Sequence, residues 1–244
     1  MKNRNAPARP SAALVLALVL VGAAAPDTLE GQSPVTTTAE LNALSDYFFA
    51  GIPFATGAVS QATVSVATPG GFTFNAFSVY DFDASAVTEF DLYGDYYTQV
   101  APTVGLFVGA ALYNFDLGTS WEGTPEVYGG LVFTAPLNPT LYVAHDFDLG
   151  DGTHATLMLS HSAPLGASGA TLDLTGNLDY NNDYYIDFSG FGYADVGASM
   201  GIPVGPVTVS PSFVLLLALD NDFQLQTGID DTETIFGVSA TATF

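Results

Sequence analysis

The stretch ATLDLTGNLDY at residues 170–180 alternates without a break. Ala170, Leu172, Leu174, Gly176, Leu178 and Tyr180 fall on one face, and Thr171, Asp173, Thr175, Asn177 and Asp179 on the other. Successive side chains of a strand point to opposite faces, so this segment is a strand with one apolar and one polar side. The same period of two recurs along the chain in twelve segments, at 39–50, 57–67, 72–82, 86–98, 102–115, 125–134, 139–148, 153–163, 169–180, 189–201, 206–219 and 232–244. Beyond residue 25 no apolar run approaches the ~20 residues that a membrane helix needs, while Gly, Pro, Asn and Asp interrupt the pattern between segments. The class is all-β.

Two all-β architectures alternate in this way. A soluble sandwich buries its apolar face and carries ordinary Lys and Glu on the other. A transmembrane barrel turns the apolar face to lipid and the polar face to its interior. A hydrophobic share of 48% favours the barrel, and an even strand number suits one. The connections add to this, because outer-membrane barrels alternate longer outer loops with short inner turns. The odd-numbered gaps include FDLGTSWEGT, NNDYYID and DNDFQLQTGIDD, whereas the even-numbered ones are TPGG, QVAP, APLN, APLGAS and IPVGP. Two odd gaps, near 51–56 and 148–152, are short. The expectation is a single-domain, antiparallel, up-and-down transmembrane barrel of about 12 strands over residues 39–244.

The opening MKNRNAPARPSAALVLALVLVGAAAP has a basic start, an apolar run and small residues before Pro26. It reads as a signal peptide over 1–25, followed by an N-terminal segment at 26–38 that is either without fixed structure or a plug in the lumen. Lys2, Arg4 and Arg9, the whole basic complement, lie in the signal, and all 25 acidic residues follow it. A chain so acidic has nothing with which to neutralise phosphates, so nucleic acid is set aside as a partner. Without cysteine there is no disulfide and no acylated anchor. The implied location is the bacterial outer membrane.

The chain closes on TETIFGVSATATF, in which Thr234, Phe236, Val238, Ala240, Ala242 and Phe244 share a face. This resembles the C-terminal strand signal of outer-membrane proteins, which implies that Phe244, Phe236 and Val238 are read by the barrel assembly machinery. A second resemblance rests on Ser45, Asp46, Tyr47, Phe48, Phe49, Ala50 and Gly51, with Gly71-Phe72, EFDLYGDY at 89–96 and EVYGGL at 126–131. The region from Glu40 to about Leu131 resembles the TorF-like family of outer-membrane porins, whose first-strand motif is S-D-Y-x-F-R-G. Here Ala50 stands in place of the motif's Arg. The resemblance implies a porin-like role.

Strand parity places Glu89, Asp91, Asp95, Asp173 and Asp179 inside the barrel, with Glu40, Asp46, Glu126, Asp146, Asp148 and Glu233 on the same parity. A lumen lined with carboxylates and lacking basic partners attracts cations and repels anions. The function that follows is passive diffusion of small solutes through a cation-preferring pore, with Glu89, Asp91, Asp95, Asp173, Asp179, Glu126 and Asp146 lining it. The alternative is a plugged, structural or adhesive barrel, whose loops offer Trp121, Tyr184 and Tyr185 as anchors or as girdle aromatics. Asp146, Asp148 and Asp151, the pair Asp220 and Asp222, and Asp230-Asp231 invite a calcium reading. None has the spacing of an EF-hand loop, and Asp is a turn former, so turns are favoured and neither metal nor cofactor is expected. A lipid hydrolase would need a serine beside a histidine. Ser160 and Ser162 flank His161, but neighbours on a strand face opposite ways, so the chain is not expected to be an enzyme through them or through His145 and His154.

Overall fold

The computed structural model describes residues 35–116, 118 and 120–244. The expected signal peptide, and the N-terminal segment up to residue 34, lie outside the described residues. In chain order the strands are β1 (Thr36–Leu44), the short pair β2 (Tyr47–Phe49) and β3 (Ile52–Ala55), β4 (Val59–Ala67), β5 (Phe72–Asp81), β6 (Ala86–Ala101), β7 (Val104–Asp116), β8 (Trp121–Phe133), β9 (Thr140–Asp146), β10 (Thr153–Pro164), β11 (Thr171–Asn182), β12 (Ser189–Val204), β13 (Val207–Ala218) and β14 (Thr232–Thr243). Among the described residues, all except β2 and β3 form one closed antiparallel barrel of 12 strands, each paired with its neighbours in sequence. This is the expected up-and-down barrel.

Closure is made by β1 against β14, with Leu41 opposite Ala240 and Thr38 opposite Thr243. It extends to the last residue: Phe244 N–H donates to Thr37 O at 2.8 Å, and Thr37 N–H returns to Phe244 O at 3.1 Å. A closed sheet leaves no ladder donor or acceptor unpaired at an edge. Alternation then separates two surfaces. Leu92, Val108, Val127, Val143, Leu174 and Phe236 stand exposed on the outside, and the wall carboxylates Glu89, Asp91, Asp95, Glu126, Asp146, Asp173 and Asp179 point inward.

The two ends differ. Short turns at 68–71, 102–103 and 205–206 join strands at one end, with slightly longer ones at 134–139 and 165–170. The segments 45–58, 82–85, 147–152, 183–188 and 219–231 lie at the other, the loop end. Here the structure corrects two expectations. The first strand stops at Leu44 instead of continuing to residue 50, and Tyr47–Ala55 folds into the β2–β3 hairpin. Ala50 (φ 49°) and Gly51 (φ 73°) make its two-residue turn, the doubly positive pair that a tight hairpin requires. A Cβ on Gly51 would collide with the Tyr193 ring of β12, so the hairpin's turn reaches the wall three strands round the barrel from β1. The motif at 45–51 is therefore the start of that crossing, and Asp46 is not an inward residue of the wall. The second correction is in 219–231, read as loop, which contains a helix, α1 (Asn221–Thr227). Its N-cap is Asp220, whose carboxylate accepts from Asp222 N–H at 2.7 Å, and Gly228 in the left-handed region ends it.

Two apolar clusters sit at this end. One gathers Phe188, Tyr193, Leu216, Phe223 and Ile229, with Phe48 packed against it. The other gathers Tyr47, Val59 and Val79, with Phe49, Phe54 and Phe77. The hairpin lies between them, sending Phe48 to one and Tyr47 and Phe49 to the other. An isolated two-stranded hairpin is marginal in water, so these rings hold it across the opening.

Candidate functional site

Beneath the hairpin the inner face of β6 reads Glu89, Asp91, Tyr93, Asp95 and Tyr97, each two residues from the next. These side chains, with Phe77 from β5, Phe107 and Tyr113 from β7, Tyr128 from β8, and Tyr142 from β9, line a cavity of about 520 Å³ roofed by Tyr47 and Phe49. Phe107, Tyr128 and Tyr142 form a ladder of rings, with centroids 6.1 Å apart for Phe107–Tyr142 and 5.8 Å for Tyr128–Tyr142. Across β7, Asn114 N–H donates to Asp91 Oδ1 at 3.0 Å, and the roof donates to β6 through Tyr47 Oη–Glu89 Oε1 at 3.2 Å.

The other inward carboxylates divide into distinct environments. Glu126 on β8 accepts from Tyr113 Oη at 2.8 Å and, more weakly, from Tyr142 Oη at 3.5 Å. Its second oxygen accepts from Tyr184 Oη at 2.5 Å. Burial, then the neighbouring Glu126, push the Tyr184 phenol far above its usual range, so it remains a donor at any ordinary pH. Asp179 on β11 accepts from Thr156 Oγ1 at 2.7 Å and lies 3.1 Å from His154 Nδ1. Among the described residues this is the one contact between a carboxylate and a basic side chain, and His154 Nε2 and Asp179 Oδ1 have no hydrogen-bond partner. Asp173, with Thr171 Oγ1 at 2.7 Å, is not among the residues lining the β6 cavity.

Of the seven expected lumen carboxylates, Glu89, Asp91, Glu126, Asp146 and Asp179 are at most 4% exposed; Asp95 and Asp173 are partly open. All seven lie on inward positions of the wall. Only Glu89, Asp91 and Asp95 share the cavity. Asp148 is a correction: β9 ends at Asp146, and Asp148 is exposed in the loop that follows. Asp146 organises that loop, its Oδ1 accepting from Thr124 Oγ1 at 2.6 Å and from the backbone N–H of Asp148, Gly150 and Asp151 at 3.0, 2.7 and 3.3 Å. With Asp148 and Asp151 exposed, the arrangement is an Asx-type turn; among the described residues no three His, Asp or Glu side chains gather as metal ligands.

Tyr184 and Tyr185 also differ from expectation. Instead of standing out as loop anchors, Tyr184 is fully buried and Tyr185 Oη donates to Asp146 Oδ2 at 3.1 Å. His154, wedged between Tyr184 and Tyr142 with ring centroids 4.5 and 5.3 Å away, is raised by the sequence only as a catalytic candidate and is not placed inside the barrel there. The parity shared with Thr156 is the signal that could have placed it inside. His161 lies opposite Leu174 on the outward face, whereas Ser160 and Ser162 lie opposite Thr175 and Asp173 on the inward one, so the wall separates them.

The profile of one bacterial family matches residues 28–236, nearly the whole barrel. The chain belongs to the Gcw_chp family. That family is described as bacterial proteins of unknown function, and the match does not confirm the TorF-like resemblance. No curated protein matches this Gcw_chp chain. Among solved structures it is similar to the KdgM porin in complex with disordered oligogalacturonate, at 8% identity and TM-score 0.52, covering 86% of this chain and 99% of that one. It is similar to the NanC porin at 10% identity and TM-score 0.51, over 85% and 98%. LpxR from Salmonella typhimurium is alike at 8% identity and TM-score 0.50, over 85% and 99%. At such identities the likeness is one of fold, shared by porins and by LpxR.

Proposed function

We propose that this Gcw_chp protein is an outer-membrane, porin-like channel for passive diffusion of small solutes, cation-preferring through its acidic lumen and covered at the loop end by the β2–β3 hairpin. One observation carries the reading: a closed wall encloses inward carboxylates, and the described part of the chain holds no Lys or Arg to neutralise them. In a low-dielectric enclosure an unbalanced charge sets the sign of what enters.

The outer surface supports the membrane setting. Exposed aromatics gather at both ends of the apolar band, with Phe72, Phe74, Tyr96 and Phe244 toward the turns and Phe82, Trp121, Phe147 and Phe191 toward the loops, as the girdles of transmembrane barrels do. The outward row ending at Phe244 is the segment that the assembly machinery would read, and the motif at 45–51 that resembles TorF-like porins agrees with the channel reading. Lipid, assembly machinery and small cations are the partners this reading implies. The covered mouth favours a second reading, a non-conducting structural barrel. The placement of His161 outside and Ser160 and Ser162 inside gives no support to a lipid hydrolase built on them.

The test is single-channel recording in a planar bilayer under a salt gradient, on the refolded chain and on a variant with a loosened hairpin. Discrete conductance is expected with a reversal potential on the cation side, moving toward zero in Asp91→Asn/Asp95→Asn/Asp173→Asn. Silence in both proteins, or a reversal potential indifferent to the three substitutions, refutes it.

A further inference from the structure

The β6 cavity has linings of two kinds, and their combination is more selective than a negative charge alone. On β6, Glu89, Asp91 and Asp95 alternate with the rings of Tyr93 and Tyr97. Phe107, Tyr128 and Tyr142 continue the aromatic lining on β7, β8 and β9. We infer that this cavity binds an organic ammonium ion carrying an apolar or aromatic body. The inference rests on the cation-preferring reading of the lumen and deepens it to a solute class.

The cavity carboxylates have only neutral partners among the described residues. Glu89 and Asp91 are 4% and 2% exposed, sit two residues apart on one face, and have no basic side chain paired with them among the described residues. Each has one oxygen fixed by a neutral donor, from Tyr47 and from Asn114. A proton shared between the two relieves their repulsion and still leaves one negative charge on the pair, with Asp95 beside it. A hydrated inorganic cation would satisfy the carboxylates and gain nothing from rings that cannot replace its water. An ammonium group on an apolar body uses both linings: the charge pairs with carboxylate and ring faces, and the body is buried against the rings. A volume of about 520 Å³ falls in the range of small-molecule sites, roughly 300–1,000 Å³.

Isothermal titration of the refolded full-length barrel separates these possibilities, using phenethylammonium, its neutral isostere 2-phenylethanol, the anion phenylacetate, and potassium. The expected result is binding of phenethylammonium at least about ten-fold tighter than 2-phenylethanol, no binding of phenylacetate, and little displacement by equimolar potassium. Asp91→Asn/Asp95→Asn and, separately, Phe107→Leu should each weaken it several-fold or more, with heat-modifiable gel migration confirming that the variants are folded. Equal binding of the alcohol, displacement by equimolar potassium, or unchanged affinity in both variants overturns the inference. A cation-selective current without ammonium preference removes the site and leaves the channel; ammonium binding by a silent barrel removes the channel and leaves the site.

Discussion

Removing one ring from the hairpin should open the barrel without unfolding it. Phe49 on β2 packs its ring near those of Tyr113, Tyr184 and His154, with centroids at 5.6, 6.0 and 6.3 Å. It also meets Phe54 of β3 edge-on at 5.8 Å. A fully buried Phe→Ala change costs ~3–5 kcal/mol, and Phe49 is only partly buried, so Phe49→Ala should lose about 2 kcal/mol of closing free energy. At ~1.4 kcal/mol per factor of ten, a rarely opened mouth would be open about 30 times more often. The loss falls mainly on closure, because Phe49 contributes no backbone hydrogen bond to the 12-stranded wall and meets it only through side chains such as Tyr113 and His154. Single-channel recording reads the open probability, and urea unfolding by tryptophan fluorescence reads the wall. Gly51→Val perturbs the opposite contact of the same hairpin, where any Cβ meets Tyr193, and should act in the same direction. Unchanged open probability in both variants would refute the hairpin as the cover. A fall in wall stability as large as the estimated closing energy would refute the separation of cover from wall.

Two further outcomes follow from the buried carboxylates. Tyr184→Phe removes the 2.5 Å donor from Glu126, leaving a buried carboxylate short of a partner; a cost of ~1.5–3 kcal/mol is expected for a hydrogen bond to a charged group, seen as a lower urea midpoint with unchanged slope. Asp146→Ala removes the acceptor for three backbone N–H groups of the 147–152 loop, so limited proteolysis should cut there faster while β9 and β10 stay protected.

Alternation decided much of this molecule from the sequence alone. Because a strand assigns each side chain to one of two faces, the period of two in ATLDLTGNLDY and its relatives was enough to count the wall strands, to place the aliphatic residues outside, and to put Glu89, Asp91, Asp95, Glu126, Asp146, Asp173 and Asp179 inside. The same local reasoning set Ser160 and Ser162 apart from His161. What alternation does not encode is where a strand stops following the wall. Residues 45–50 continue the pattern of β1 well enough to read as its extension, yet the chain leaves the wall after Leu44 because Phe48 and Phe49 meet partners from β7, β10 and the 183–188 and 219–231 segments, far away in sequence. Tyr184 and Tyr185 are equally ambiguous locally: a loop tyrosine serves as an exposed anchor or as a buried donor, and the presence of Glu126 and Asp146 within reach settles which. The seven residues of α1 are too few for a periodic signal; its place comes from the burial of Phe223. The wall is thus determined by local, repeated alternation, whereas the cover depends on contacts between segments brought together only once the barrel has closed.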